Sequence, residues 1–127
     1  MSNYEKFLES ANYIKTKFDA FGAIGIVLGS GLGNLAEEIK DPVVIPYKDI
    51  PNFPITTVPG HEGSLYCGTL ENHKVVCMKG RFHFYEGHSL KTVTMPIRVM
   101  KLLGINSIIL TIIITPQNAL EMHTLRC

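Results

Sequence analysis

The sequence carries no surplus of either charge. Twelve Lys and Arg stand against eleven Asp and Glu, a formal charge of +1 over 127 residues. A protein built mainly to hold nucleic acid shows a basic excess or stripe, so that class is excluded and any bound anion is small and locally held. Cysteine is scarce and odd in number, with Cys67, Cys77 and Cys127 and no C-x-x-C spacing. This argues against a disulfide scaffold and against a zinc site built from thiols. No apolar run approaches the ~20 residues needed to cross a bilayer. The greasiest stretch is "SIILTIIIT", and the amino terminus "MSNYEKFLES" is charged and lacks a signal peptide's apolar core. The expectation is a soluble, cytoplasmic chain with no membrane or nucleic-acid partner. With 46% hydrophobic and 18% charged residues, it has the composition of one globular domain over residues 1–127.

Tyr4, Phe7, Leu8, Ala11, Ile14 and Phe18 recur at helical spacing, which predicts an amphipathic helix over roughly the first twenty residues. The stretch "AIGIVLGSGLGNLAEEI" then changes period. A short buried strand over residues 24–28 meets a glycine turn, and Leu32, Leu35, Ala36 and Ile39 follow at helical spacing. Five prolines in "DPVVIPYKDIPNFPITTVPGHEG" predict an extended, stiffened connection and exclude a long helix. "SLYCGTL" and "KVVCMKG" flank "ENH" as a hairpin, with strands ending at Leu70 and starting at Lys74. Val93, Ile97, Met100 and Leu103 predict a helix that Gly104 ends, with Pro96 in its first turn or kinking it. Another buried strand starts at Ile108. Alternating helices and apolar strands give an α/β domain with a parallel or mixed sheet.

In "LGSGLGN" the glycines lie between a strand and a helix. Such a turn presents backbone N–H groups at a helix start, where an anion is favoured, and Ser30 adds a hydroxyl. The dinucleotide fingerprint fails because position 34 is Asn34, and the Walker-type lysine followed by Ser or Thr is absent. Two readings remain open at this turn, a small anion such as phosphate or a tight turn made for packing.

The stretch "GRFHFYEGH", residues 80–88, is denser in chemistry. Arg81 offers a planar fork matching two phosphate oxygens. On an extended backbone Arg81, His83 and Tyr85 share one side, while Phe82 and Phe84 turn to the other. Histidine titrates near pH 6.5 (about), so His83 can hold an anion as a cation or hydrogen-bond as a neutral ring. Tyr85 can donate to and accept from a hydroxyl-bearing ligand. Glu86 is repelled by phosphate and is better placed to orient Arg81 or His61. His61 lies in the long loop. His83 and His88 lack a third metal ligand at a convincing spacing, so no metal site is assigned.

The succession "GSGLG", "IPNFPITTVPGHEG", "GRFHFYEGH" and "MPIRVMKLLGI" resembles the trimeric class of purine nucleoside phosphorylases over residues 24–111. The resemblance implies a phosphorylase-type α/β/α sandwich around a mixed sheet. It also implies reversible phosphorolysis of purine nucleosides, of the inosine and guanosine type, to free base and ribose 1-phosphate. Phosphate binding would fall to Ser30, His61, Arg81 and His83, ribose contact to Tyr85, and catalytic roles to His83 and Glu86. Phosphate would be a co-substrate and no cofactor would be needed. The assembly would be a homo-oligomer, a trimer in the family. Methylthioadenosine phosphorylase shares the glycine turn, but "RFHFYEG" favours the purine nucleoside enzyme.

The pattern departs after Thr111. The family continues with an Asn-Ala-Ala-Gly-Gly turn, whereas residues 112–127 read "IIITPQNALEMHTLRC". The base-recognising glutamate and asparagine of the family, a further phosphate-binding serine and a histidine near the ribose 5′-hydroxyl have no counterpart here. A truncated or frameshifted product, or an alternative transcript, is the expectation. "IILTIII" reads as a central strand, and half a sheet would leave it or its neighbours without partners, as exposed edges prone to aggregation. A fragile or oligomeric species is expected.

Overall fold

In the computed structural model, residues 2–28, 33–53, 63–79, 90–114 and 119–126 are described. Helix α1, Asn3–Lys15, starts where Ser2 accepts a hydrogen bond from the Glu5 N–H at 3.1 Å, satisfying one of the first turn's orphan donors. It buries Ser10, Ala11 and Ile14. It is shorter than its apolar spacing suggested. Thr16 closes the last turn by donating its hydroxyl to the Tyr13 carbonyl at 2.6 Å, and Phe18 packs on the core from beyond the helix.

The strands are β1 (Ile24–Val27), β2 (Lys40–Pro46), β3 (Ser64–Leu70), β4 (His73–Lys79), β5 (Ser107–Ile114) and β6 (Ala119–Arg126). They form one six-stranded sheet in the order β2-β3-β4-β1-β5-β6. β1 runs parallel to β4 and β5, and the other three pairings are antiparallel, so the sheet is mixed. The β3–β4 hairpin closes over Glu71 and Asn72, both at positive φ, with Leu70 paired to His73. Two central residues in the left-handed region give the turn the twist that strands need.

Helix α2, Leu90–Leu102, packs against α1. Pro96 lies in its interior, not its first turn, and removes one backbone hydrogen bond there. The helix ends in a Schellman arrangement. Gly104 takes φ +93° and donates to the Lys101 carbonyl, and the Ile105 N–H reaches back to the Met100 carbonyl at 3.1 Å.

Side chains alternate across the sheet and divide the core in two. Val76 and Met78 of β4 face the helices, with Ala11, Ile14, Val99, Leu103 and Ile108. Val75 and Cys77 face the other way, with Ile26, Leu28, Ala36 and Ile39. Strands buried on both faces have to be apolar throughout, which accounts for their unbroken hydrophobic runs.

Three local expectations change. The helical spacing after the glycine turn is realised as a 3-10 helix, Gly33–Glu38, and not as an α-helix. Asp41 at φ 50° turns the chain, and Pro42 cannot extend a helix, so the segment ends after two turns. The proline-rich connection is extended as expected, but its first part is a paired strand, β2. Pro42 and Pro46 fit there because β2 is an edge strand, and its register shifts between Lys40 and Val43. Of the strands expected to lack a partner, β5 itself is paired on both sides, and its neighbour β6 takes the edge. β5 lies between β1 and β6, with Ser107 paired to Arg126 and Ile114 to Ala119.

Candidate functional site at the carboxyl ends of the parallel strands

Ser30, His61, Arg81, His83, Tyr85 and Glu86 all lie outside the described residues, as do His88 and Cys127. The described residues do fix the strand ends that bracket them. β1 delivers the chain to the glycine turn at Leu28, whose N–H donates to the Met78 carbonyl of β4 at 3.2 Å. β4 delivers it to residues 80–89 at Lys79. Val27 is paired with Met78 in parallel, so the two exits lie side by side. The loop containing His61 returns to the sheet at Gly63. β3 runs antiparallel to β4 and Ser64 is paired with Lys79, so this entry lies at the same edge. Neighbouring strands are about 4.8 Å apart, which places the ends of all three motif segments within about 10 Å.

This edge is where an open α/β sheet accommodates ligands, outside the carboxyl ends of parallel strands where connections diverge to either side. β1 has β4 on one flank and β5 on the other, both parallel to it. The geometry can therefore bring one glycine turn and two loops around a single small ligand.

Two close approaches hold the edge in place. A Cβ on Gly25 would meet the Met100 sulfur at 2.9 Å and Ile108 Cγ1 at 3.1 Å, so β1 and α2 approach this closely only because residue 25 is glycine. A Cβ on Gly63 would collide with the Tyr47 ring and come within 3.1 Å of the Lys79 carbonyl. Tyr47 is buried, packs its ring 5.6 Å from that of Phe53, and donates its N–H to the Gly63 carbonyl at 3.0 Å. Burial pushes its phenol well above the usual tyrosine range. The sequence motifs give no role to Gly63, Tyr47 or Lys79. Lys79 stands immediately before Gly80, with its ammonium 5.4 Å from the Tyr66 ring centroid, and brings a half-buried positive charge to the edge. Its position next to the basic stretch was the signal available.

Cys67 and Cys77 are free thiols on opposite faces of the sheet. Burial pushes each up to about 12, so neither supplies a thiolate near neutral pH. Among the described residues no group of three His, Cys, Asp or Glu side chains is arranged to hold a metal. No helix among them is long and apolar enough to cross a membrane.

Residues 23–111 match the model of the phosphorylase superfamily. The chain belongs to that superfamily. It is 54% identical over 103 residues to purine nucleoside phosphorylase 1 of Geobacillus stearothermophilus, covering 81% of this chain and 38% of that protein. It is 51% identical over 107 residues to the Bacillus subtilis enzyme of the same name, covering 84% and 40%. The fold of isoform 2 of Schistosoma mansoni purine nucleoside phosphorylase, solved with cytosine and ribose-1-phosphate, superposes with a TM-score of 0.81. That match is 50% identical and covers 87% of this chain and 39% of the other. The mixed-sheet phosphorylase architecture is thereby established. This phosphorylase chain spans about two-fifths of the length of these relatives. The match to the superfamily stops at residue 111, inside β5, so β6 lies wholly beyond it.

Proposed function

We propose that this chain carries the phosphate- and ribose-binding part of a purine nucleoside phosphorylase site, for reversible phosphorolysis of purine nucleosides to free base and ribose 1-phosphate. The observation that carries this reading is the convergence of Leu28, Gly63 and Lys79 at one sheet edge. These residues adjoin the three segments that hold Ser30, His61 and the Arg81–Glu86 cluster. Similarity to phosphorylases solved with ribose-1-phosphate supports it.

The chemistry suits such a site. The C–N glycosidic bond breaks with its electron pair leaving on the base, and positive charge grows on the ribose. A phosphate held beneath the sugar stabilises that charge and supplies the oxygen that bonds to C1′, while the departing base takes up a proton. In this reading Ser30, Arg81 and His83 hold phosphate and His61 closes over it. Tyr85 meets the ribose hydroxyls, and Glu86 orients the cationic cluster. Phosphate is consumed as a co-substrate, and no cofactor is assigned. The protein acts in the cytoplasm as a homo-oligomer, a trimer by resemblance.

The deciding assay is phosphate-dependent release of hypoxanthine from inosine by the purified chain, beside Arg81→Ala. Turnover that needs both phosphate and Arg81 is the expected result for a complete site. A second reading is a phosphate-binding chain without turnover. Phosphate then raises the thermal midpoint in the parent but not in Arg81→Ala, and no base is released. Absence of both turnover and protection in a folded sample rejects the two readings together.

A further inference from the structure

The opposite end of the sheet holds a cavity, and one of its walls is an aromatic ring fixed in the open. Phe21 is 76% exposed, yet its position is determined on several sides. Its N–H donates to Asp19 Oδ1 at 3.1 Å, and its carbonyl accepts from Lys74 Nζ at 3.0 Å. The adjoining Gly22 N–H donates to the Gly104 carbonyl at 3.1 Å. The ring lies against Gly104, where a Cβ would come within 2.6 Å of Phe21 Cδ2. The ring therefore rests on bare backbone and leaves the rest of its surface to an open cavity of about 530 Å³ lined also by Lys15, Asp19, Lys101 and Leu102.

The charge around it is uneven. Asp19 is offset by Lys74, whose Nζ is 4.0 Å from Asp19 Oδ2. Among the described residues neither Lys15 nor Lys101 forms an ion pair. Both stand in the last turns of their helices, where a lysine complements the helix dipole. That role does not require an exposed phenyl ring lining the same cavity. A stacking surface in a cavity that two lysines also line suits a planar heteroaromatic ring that carries a phosphate.

We propose that this cavity, built on Phe21, Lys15 and Lys101, is a binding site for a mononucleotide. It is separate from the edge described above. Gly22 and Gly104 precede β1 and β5, at the ends of those strands opposite to Leu28 and Lys79.

The test is a titration of the isotope-labelled 127-residue chain with AMP, read at the backbone amides of Gly22 and Gly104, with adenosine and inorganic phosphate as separate arms. AMP is expected to shift both amides saturably, and equally in Arg81→Ala, which removes competition from the other edge. Adenosine binds more weakly because it lacks the phosphate. Phe21→Leu removes the stacking surface, Lys101→Glu reverses one charge, and each weakens AMP at least about threefold. Both positions are exposed, so both variants keep the parent's circular dichroism. Amides that do not move, or an affinity unchanged in Phe21→Leu, overturn the proposal.

Discussion

The sulfur of Met100 occupies the space beside Gly25 so closely that a Cβ on residue 25 would lie 2.9 Å from it. This contact sets the distance between α2 and the central strand, and α2 begins just after the segment that holds Arg81 and His83. Methionine is the most adaptable of core side chains, but here it has little room. Ile108 Cγ1 would lie 3.1 Å and Ile105 Cγ2 3.4 Å from the same Cβ, and both isoleucines are fully buried. Gly25→Ala is expected to destabilise the fold by about 1–3 kcal/mol, the usual cost of overpacking, as a lower midpoint in urea at unchanged slope. Met100→Ala in the same chain should recover part of that loss. Equal midpoints for Gly25→Ala and the parent would show that β1 and α2 adjust freely.

The two buried thiols make stability depend on alkaline pH. Cys67 and Cys77 are raised from 9.0 to about 12 by burial, while the unfolded chain releases those protons near the ordinary value. Folded-state values above unfolded ones mean that their contribution is complete below about pH 9 and is lost as pH rises toward about 12. Each thiol can steepen the decline by up to about 1.4 kcal/mol per pH unit in that window. Tyr47, shifted in the same direction, adds to the decline above its ordinary range. The measurement is urea unfolding between pH 7 and pH 10, with Cys77→Ala expected to flatten the slope. A thiol reagent at pH 8 should modify Cys67 and Cys77 only as fast as the chain unfolds.

How much of this was legible beforehand depended on whether a signal was local. Ile24–Val27, the hairpin on either side of Glu71 and Asn72, and the stop at Gly104 could all be read, because each rests on neighbouring residues and turn chemistry. The 3-10 helix at Gly33–Glu38 carries the same apolar spacing as an α-helix, and only Asp41 and Pro42 beyond it decide the length. The prolines around β2 exclude a long helix and predict an extended connection, but they do not show that its first part pairs as a strand. Its status as an edge is a property of the assembled sheet and cannot be seen in residues 40–46. The same holds for the candidate site. Glycine turn and basic stretch are visible as motifs, whereas the adjacency of the strand ends that lead into them depends on the parallel register of Val27 with Met78. Gly63 escaped notice because its partner, Tyr47, is sixteen residues away in sequence and touches it only in the fold.

The pairing of Ile112 with Glu121 shows what the carboxyl-terminal residues do for the sheet. β5 is apolar across "SIILTIII" and pairs with β1 only through its first half, Ser107 to Leu110. β6 pairs along its whole length, including residues 111–114, which β1 does not reach. Without β6 the strand would offer eight residues of unpaired backbone on one side, uncharged and rich in β-branched side chains. That is the composition of an aggregating edge. At the opposite margin β2 is guarded by Pro42, Pro46 and a register shift, and β5 has no such protection of its own. Deleting residues 115–127 is therefore expected to convert the protein from a discrete species into one that scatters light at micromolar concentration and binds an amyloid dye. Replacing Ile112 and Ile113 with Lys in the shortened chain should restore solubility by charging the bared edge. If the shortened chain instead elutes as the full one does, β6 is dispensable and the β5 edge is protected by something other than strand pairing.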